Sequence, residues 1–212
     1  MTARHDRAPV IVLLAAGASR RFGGIKQLAD IDGETMVHRV ARTALTTGAK
    51  VIVVTGAHAE KISAALADLP LLITRHAAWS EGMGSSLAAG IRHAQAHFPS
   101  ATGALLCLAD QPLLDGASLR QMLDRHAEMP AHILATKHNG VAGPPILFSS
   151  DCFAELARWS GAQGAKAVLK REAHRVEHLA HDRCIDVDTE DDLKRLQQRF
   201  AEIREIELAR EL

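Results

Sequence analysis

Val10-Ile11-Val12-Leu13-Leu14-Ala15-Ala16-Gly17-Ala18-Ser19-Arg20-Arg21-Phe22-Gly23-Gly24-Ile25-Lys26-Gln27 is the stretch that decides the fold. An apolar run gives way abruptly to three glycines, a serine and three cations, and no acid stands between Gly17 and Gln27. The run is short and does not alternate, which fits a strand buried on both faces. A flexible loop at the carboxyl end of such a strand can aim backbone N–H groups at a phosphate chain while Arg and Lys neutralise its charge. By chemistry alone, the segment after Leu14 is an anion cradle.

Working outward, similar runs recur at Val51 to Val54, Leu71 to Ile73, Ala104 to Leu108 and Ile133 to Ala135. Between them lie stretches with helical spacing: Met36, Val40 and Ala44; Ile62, Ala65 and Leu66; Leu87, Ile91 and Ala94; Leu119, Met122 and Leu123. Alternating strand and helix predicts an α/β class with a mainly parallel sheet flanked by helices. No repeat or long linker interrupts the pattern, so one domain is expected over residues 1–212. After Gly140 the texture changes. Gly143, Pro144 and Pro145 break the alternation, a short strand at Ile146 to Phe148 follows, and a helix is expected from near Asp151. A late insertion of this kind often builds the second wall of a cleft. Thr189 and Asp192 have capping-box spacing, predicting a final helix over about 189–211 whose Leu193, Leu196, Phe200, Ile203 and Ile206 form one stripe. That stripe is expected to dock on the body or to join two copies, leaving a monomer or a homodimer.

Composition removes several classes. The 212 residues carry 25 Lys+Arg and 25 Asp+Glu, giving no global reason to bind nucleic acid or a membrane surface. Aromatics make up 3% and tyrosine is absent, so stacking platforms for single-stranded nucleic acid are scarce. Three cysteines, Cys107, Cys152 and Cys184, form no CxxC pair, and a reducing, cytoplasmic setting fits. The apolar run from Pro9 to Ala18 is too short to span a membrane. His93 with His97, and His174, His178 and His181, lack Cys or Glu partners that would complete a zinc set.

Two standard cradles fail. A Walker A loop needs Gly-Lys followed by Ser or Thr, but Ile25 separates Gly24 from Lys26, and Gln27 follows. The dinucleotide fingerprint needs GxGxxG, which is absent, and Val54 leads into Thr55, Gly56, Ala57 and His58 rather than an acid for a ribose. The loop instead resembles the LxxGxSxRxGxxK signature of nucleotidyltransferases with a Rossmann-like fold, at Leu14, Gly17, Ser19, Arg21, Gly23 and Lys26. Glu81 to Leu87 resembles that family's base-contacting turn, and Ala109-Asp110-Gln111-Pro112 its metal-binding Asp. Gly140 to Phe148, Gly161 to Lys166 and Asp186-Val187-Asp188-Thr189 resemble the MobA-like family, in the molybdenum cofactor cytidylyltransferase (MocA-like) branch. Ala16 stands where the guanylyltransferases usually have Gly.

The resemblance implies attack of a molybdopterin phosphate on the α-phosphorus of CTP, with Mg²⁺ as cofactor, pyrophosphate as product and a molybdenum hydroxylase as recipient. Lys26 would bridge the α-phosphate and the leaving group, and Arg21 would hold the β- and γ-phosphates with the amides of Ala16 to Ser19. Leu14, Ala15 and Ala16 would read the base, with Gly82, Ser85 and Ser86 allowing its close approach. Asp110 and Asp188 would hold the metal, with Asp186 as the alternative second ligand, and Gly143 and Pro145 would shape the acceptor wall. Arg20 reads as a surface cation. Pro144 replaces a His common in this branch, and Ala162 an acid. Guanylyl or other nucleotidyl transfer, a nicotinamide-dependent reductase and a cofactor carrier remain open on the same fold. The zero net charge conceals a separation: residues 1–26 carry five Lys or Arg and one acid, whereas residues 182–192 carry six acids and one Arg.

Overall fold

A computed structural model describes residues 7–138, 140–161, 164–180 and 185–211. The cradle strand, β1 (Val10–Ala15), is central, and every one of its residues is buried. The next elements are a two-residue hairpin of β2 (Asp30–Ile31) and β3 (Glu34–Thr35), then α1 (Met36–Leu45), β4 (Val51–Thr55), α2 (Ala59–Ala65) and β5 (Leu72–Arg75). The chain continues through α3 (Met83–His97), β6 (Gly103–Leu108), α4 (Gly116–Glu128), β7 (Ile133–His138) and β8 (Val141–Ser149). It closes with α5 (Phe153–Leu156), α6 (Gly164–Arg171), β9 (Val176–Ala180) and α7 (Glu190–Glu211). The main sheet has the order β5-β4-β1-β6-β8-β7-β9, and β8 runs antiparallel to both its neighbours while the other pairs are parallel.

The apolar runs have the character expected of strands covered on both faces. Along β1, Val10, Val12 and Leu14 point to one core with Leu87, Ile91 and Ala94 of α3. Ile11, Leu13 and Ala15 point to the other, with Val37 and Val40 of α1, Ile62 of α2 and Leu119 of α4. Because side chains alternate along a strand, this parity determines which residues of the β1 end face the site. Helix α3 lies close on the sheet at Gly90, where a Cβ would overlap Val12 Cγ1 and come within 3.0 Å of Val54 Cγ2. Gly90→Ala is therefore expected to lower stability by about 1–3 kcal/mol through overpacking, against a helix-propensity gain of about 1 kcal/mol. Urea unfolding measures the balance, and a more stable variant would contradict the close approach.

Departures from the sequence reading are local. The third strand lies at Leu72–Arg75, one residue later at its start, and the strand expected at Ile146 to Phe148 is the inner part of a nine-residue β8. The helix expected near Asp151 begins as a 3-10 turn at Ser150–Cys152 before α5. Helix α7 starts at Glu190, capped reciprocally: Asp192 N–H donates to Thr189 Oγ1 at 3.2 Å, and Thr189 N–H to Asp192 Oδ2 at 2.9 Å. Leu193, Leu196 and Phe200 dock on Phe22 and Ile31 of the loop and hairpin after β1 and on Met36 at the start of α1. Arg39 stacks on the Phe200 ring at 4.3 Å. The side chains of Ile203 and Ile206, and residues Ala162, His181 and Cys184, lie outside the described parts. Among the described residues, no helix is long and apolar enough to cross a membrane.

Candidate active site

After β1 the chain passes to β4 on one side and then returns to place β6 on the other. In an open parallel sheet, ligands bind beyond the carboxyl ends of the strands at such a reversal of order. A cavity of about 410 Å³ lies there, lined by Leu14, Ala16 to Arg21 and Lys26 on one side and by Leu108, Ala109, Asp110 and Asp188 on the other. Trp79, Ser80, Gly82, Met83 and Ser86 form a further wall.

The glycine-rich loop holds its shape through a residue the signature omits. Gln27 is buried, at 3% exposure. Its Nε2 donates to Gly17 O at 2.9 Å and its Oε1 accepts from Ser19 Oγ at 2.9 Å. Ser19 Oγ also accepts from Lys26 N–H at 3.2 Å. The hydroxyl proton of Ser19 is thus committed inside the loop, and what remains for an anion is backbone N–H and cationic side chains. Ser19 itself sits at φ 54°, an uncommon conformation for a residue with a side chain, held by these bonds and by Phe22 N–H on its carbonyl at 3.0 Å.

Lys26 joins parts of the chain far apart in sequence. Its Nζ donates to Asp110 Oδ2 at 2.6 Å and to Asp188 Oδ1 at 3.0 Å, with only 12% of the side chain exposed. Burial alone would depress its pKa, but Asp110 and then Asp188 outweigh that and hold it above the ordinary value. Arg21, 74% exposed, pairs with the other oxygen of Asp188 at 2.8 Å. Asp188 reaches this place because Val187 N–H donates to Asp110 O at 2.9 Å and the Val187 side chain is buried under α7. The positive beginning and the acidic later segment of the chain meet at these three side chains.

The donor set suits a hard divalent cation. Two carboxylates, Asp110 and Asp188, converge on one point, and Asp110 Oδ1 is buried without a hydrogen-bond partner. No cluster of three or more metal-ligating side chains occurs among the described residues. A small cation that keeps several waters and borrows oxygens from a substrate phosphate needs only one or two protein carboxylates. Asp186 is placed differently: it accepts from Gln111 Nε2 at 2.9 Å, and that same nitrogen lies 3.3 Å from Pro144 O. Gln111, buried and given no role of its own by the motif that contains it, thus ties the end of β6 to the later insertion.

The remaining candidates fall on two sides. Leu14 and Ala16 line the cavity, but Ala15 faces the opposite core, as its parity requires. The carbonyls of Leu14 and Ala16 accept from Ala109 and Ala57 N–H at 3.1 Å each, so they brace the loop. Gly82 and Ser86 line the cavity, whereas the hydroxyl of Ser85 turns below the wall toward His76. Arg20 is exposed as expected, yet it lines the cavity mouth. A second cavity, about 550 Å³, adjoins the first through Met83. Gly143 lines it, but Pro145 is buried and Pro144 takes its place on the wall. Leu87, Leu106 and Ile146 contribute an apolar floor, with Lys166 and Lys170 at its side.

Residues 11–178 match the MobA-like NTP transferase domain. The chain belongs to that family. As a member it is a nucleotidyltransferase, and its mostly parallel sheet is the Rossmann-like fold of solved nucleotidyltransferases. It is 32% identical over 201 residues to the nicotine blue oxidoreductase of Paenarthrobacter nicotinovorans, spanning 89% of this chain and 93% of that protein. It is 24% identical over 194 residues to the molybdenum cofactor cytidylyltransferase of Escherichia coli, spanning 91% and 97%. Among solved structures it is similar to Rv0371c of Mycobacterium tuberculosis, at 33% identity and TM-score 0.78, covering 91% of this chain and 99% of that one. A manganese complex of Rv0371c matches at 31% identity and TM-score 0.75, covering 90% and 98%.

Proposed function

We propose that this nucleotidyltransferase moves a cytidylyl group from CTP to the terminal phosphate of molybdopterin, with Mg²⁺ as its metal. The observation that carries the reading is the convergence of Lys26, Asp110 and Asp188 at the carboxyl ends of β1 and β6, beside a second cavity that can seat an acceptor. An acceptor phosphate oxygen forms a bond to the α-phosphorus while the bond from that phosphorus to the bridging oxygen breaks, and the electron pair leaves with pyrophosphate. Atoms and charge balance without a covalent protein intermediate. Catalysis then rests on alignment and on stabilising charge in the transition state.

Lys26 has the position to bind oxygens on which charge grows, since its ammonium is nearly buried and already aimed by two carboxylates. Arg21 reaches from the exposed rim to neutralise the outer phosphates, and the loop amides after Ala16 hold them in line. Asp110 and Asp188 would hold the divalent cation, which supplies Lewis-acid neutralisation of the triphosphate when bound. The second cavity offers an apolar floor with two lysines and no acid among its described lining residues, which suits a flat, anionic acceptor. Pro144 lends that wall shape but no polar side chain. The oxidoreductase reading carried by one relative's name has less support, because Thr55 at the end of β4 and the Gly56-Ala57 that follow offer no acid for a ribose.

The test is to incubate the protein with Mg²⁺, molybdopterin and each of the four triphosphates and to follow pyrophosphate. Release with CTP alone is expected. Release with GTP alone would move the reading to guanylyl transfer, and release with none would refute transfer to this acceptor.

A further inference from the structure

Beneath one wall of the first cavity lies a polar pair that the transfer chemistry does not use. The wall is a turn from Ala78 through the 3-10 segment Trp79–Glu81 to Gly82, and Trp79, Ser80 and Gly82 all face the cavity. Its last residue, Gly82, adopts φ 121° and ψ −179°, a backbone conformation that L side chains rarely take. Both ends of the turn meet a single hydroxyl: Ser85 Oγ lies 2.9 Å from Gly82 O and 3.3 Å from Ala78 O. The same oxygen is 3.0 Å from His76 Nε2, and Ser85 is buried at 4% exposure.

The proton count fixes the roles. A serine hydroxyl has one proton and two acceptor lone pairs. With that proton directed at the turn carbonyls, the oxygen has to accept from His76, so the ring carries its proton on Nε2. The backbone that carries the ring is held in turn, because the His76 amide N–H donates to Thr55 O at 2.8 Å at the end of β4. Burial, and then the nearby Arg92, holds its pKa below the ordinary value, in keeping with a neutral donor. The turn and the phosphate loop also close together on Gly56. A Cβ there would come within 2.6 Å of both Trp79 Cβ and Ala16 O, so the turn is packed tightly on the same glycine that backs the loop.

We propose that His76 and Ser85 are positioning residues for the nucleotide: through Ser85 Oγ they fix the 78–82 turn, and through it the affinity for the nucleoside end of the triphosphate. This rests on the first cavity being the nucleotide site. It leaves Lys26, Asp110 and Asp188 untouched, so affinity and turnover separate.

Wild type is first titrated calorimetrically with each of the four triphosphates and Mg²⁺, and the experiment then compares wild type, Ser85→Ala, His76→Phe and His76→Gln by titration with CTP and Mg²⁺ and by steady-state kinetics. Ser85→Ala and His76→Phe are expected to raise the nucleotide Kd and KM about ten-fold or more, as loss of an outer hydrogen-bond partner does, with kcat within about three-fold. The acceptor KM should not move. His76→Gln, whose amide nitrogen can donate from a similar position, should recover affinity to within about three-fold of wild type. Unchanged nucleotide affinity in Ser85→Ala, or lower thermal stability with affinity intact, overturns the proposal. So does a failure of the Gln variant to recover affinity while it remains folded by circular dichroism. Wild-type protein that binds none of the four triphosphates overturns the nucleotide reading itself and the pair's role with it, an outcome visible before any variant is made.

Discussion

Lys26→Ala is expected to lower turnover by a factor of about 10² to 10³, the usual cost of removing one preorganised contact to transition-state charge. The same variant should bind Mn²⁺ more tightly than wild type. In the wild-type protein the Lys26 ammonium lies between Asp110 and Asp188 at 2.6 and 3.0 Å, where it competes with a divalent cation for both carboxylates. Removing it frees the two anions, whose mutual repulsion then favours any cation that enters. Loss of activity combined with stronger metal binding sets this role apart from simple damage to the site, which would weaken both. Circular dichroism establishes that the variant is folded, and Mn²⁺ titration with pyrophosphate release measures the rest. Normal turnover in Lys26→Ala would remove Lys26 from the chemistry.

Asp110→Asn is expected to cost a comparable factor of about 10² to 10³ in turnover, with weaker divalent binding that excess Mn²⁺ does not fully restore. The substitution keeps shape and volume but removes the charge whose second oxygen is buried and unpartnered. Asp188→Asn should behave in the same direction. Asp186→Asn should cost less than about ten-fold, since its carboxylate faces Gln111 rather than Lys26 and acts at most through an outer hydrogen bond. Kinetics of the three variants across a Mg²⁺ series decide the assignment. A larger loss for Asp186→Asn than for Asp188→Asn would exchange their roles.

The readings that survived from sequence are those set by local chemistry. Val10 to Leu14 could be assigned because a short, unbroken apolar run suits a strand buried on both faces, and the sheet covers it on both. The cradle was legible because glycines, Ser19, Arg21 and Lys26 stand within a few residues of one another, where spacing translates directly into a loop. The cap of α7 followed from two residues three apart, Thr189 and Asp192. Asp110 and Asp188 entered through a resemblance, not through any periodicity. Gln27 and Gln111 escaped because a polar residue in a loop carries no mark of burial; each is recognised only once its hydrogen bonds are visible.

What the sequence determined by itself is therefore the α/β order, the position of the phosphate loop after the first strand, and the opposite signs of charge in residues 1–26 and 182–192. Only the tertiary structure decided that those charges meet. Lys26 lies 84 residues from Asp110 and 162 from Asp188, and their contact depends on β6 pairing beside β1 and on Val187 being buried under α7. It also decided that Ala15 faces away while Leu14 and Ala16 face in, that Pro144 rather than Pro145 lines the second cavity, and that Ser85 supports a wall from below. The physical reason is the same in each case. Local patterns report which face of an element is apolar, but a side chain's partners are set by the packing of elements distant in sequence.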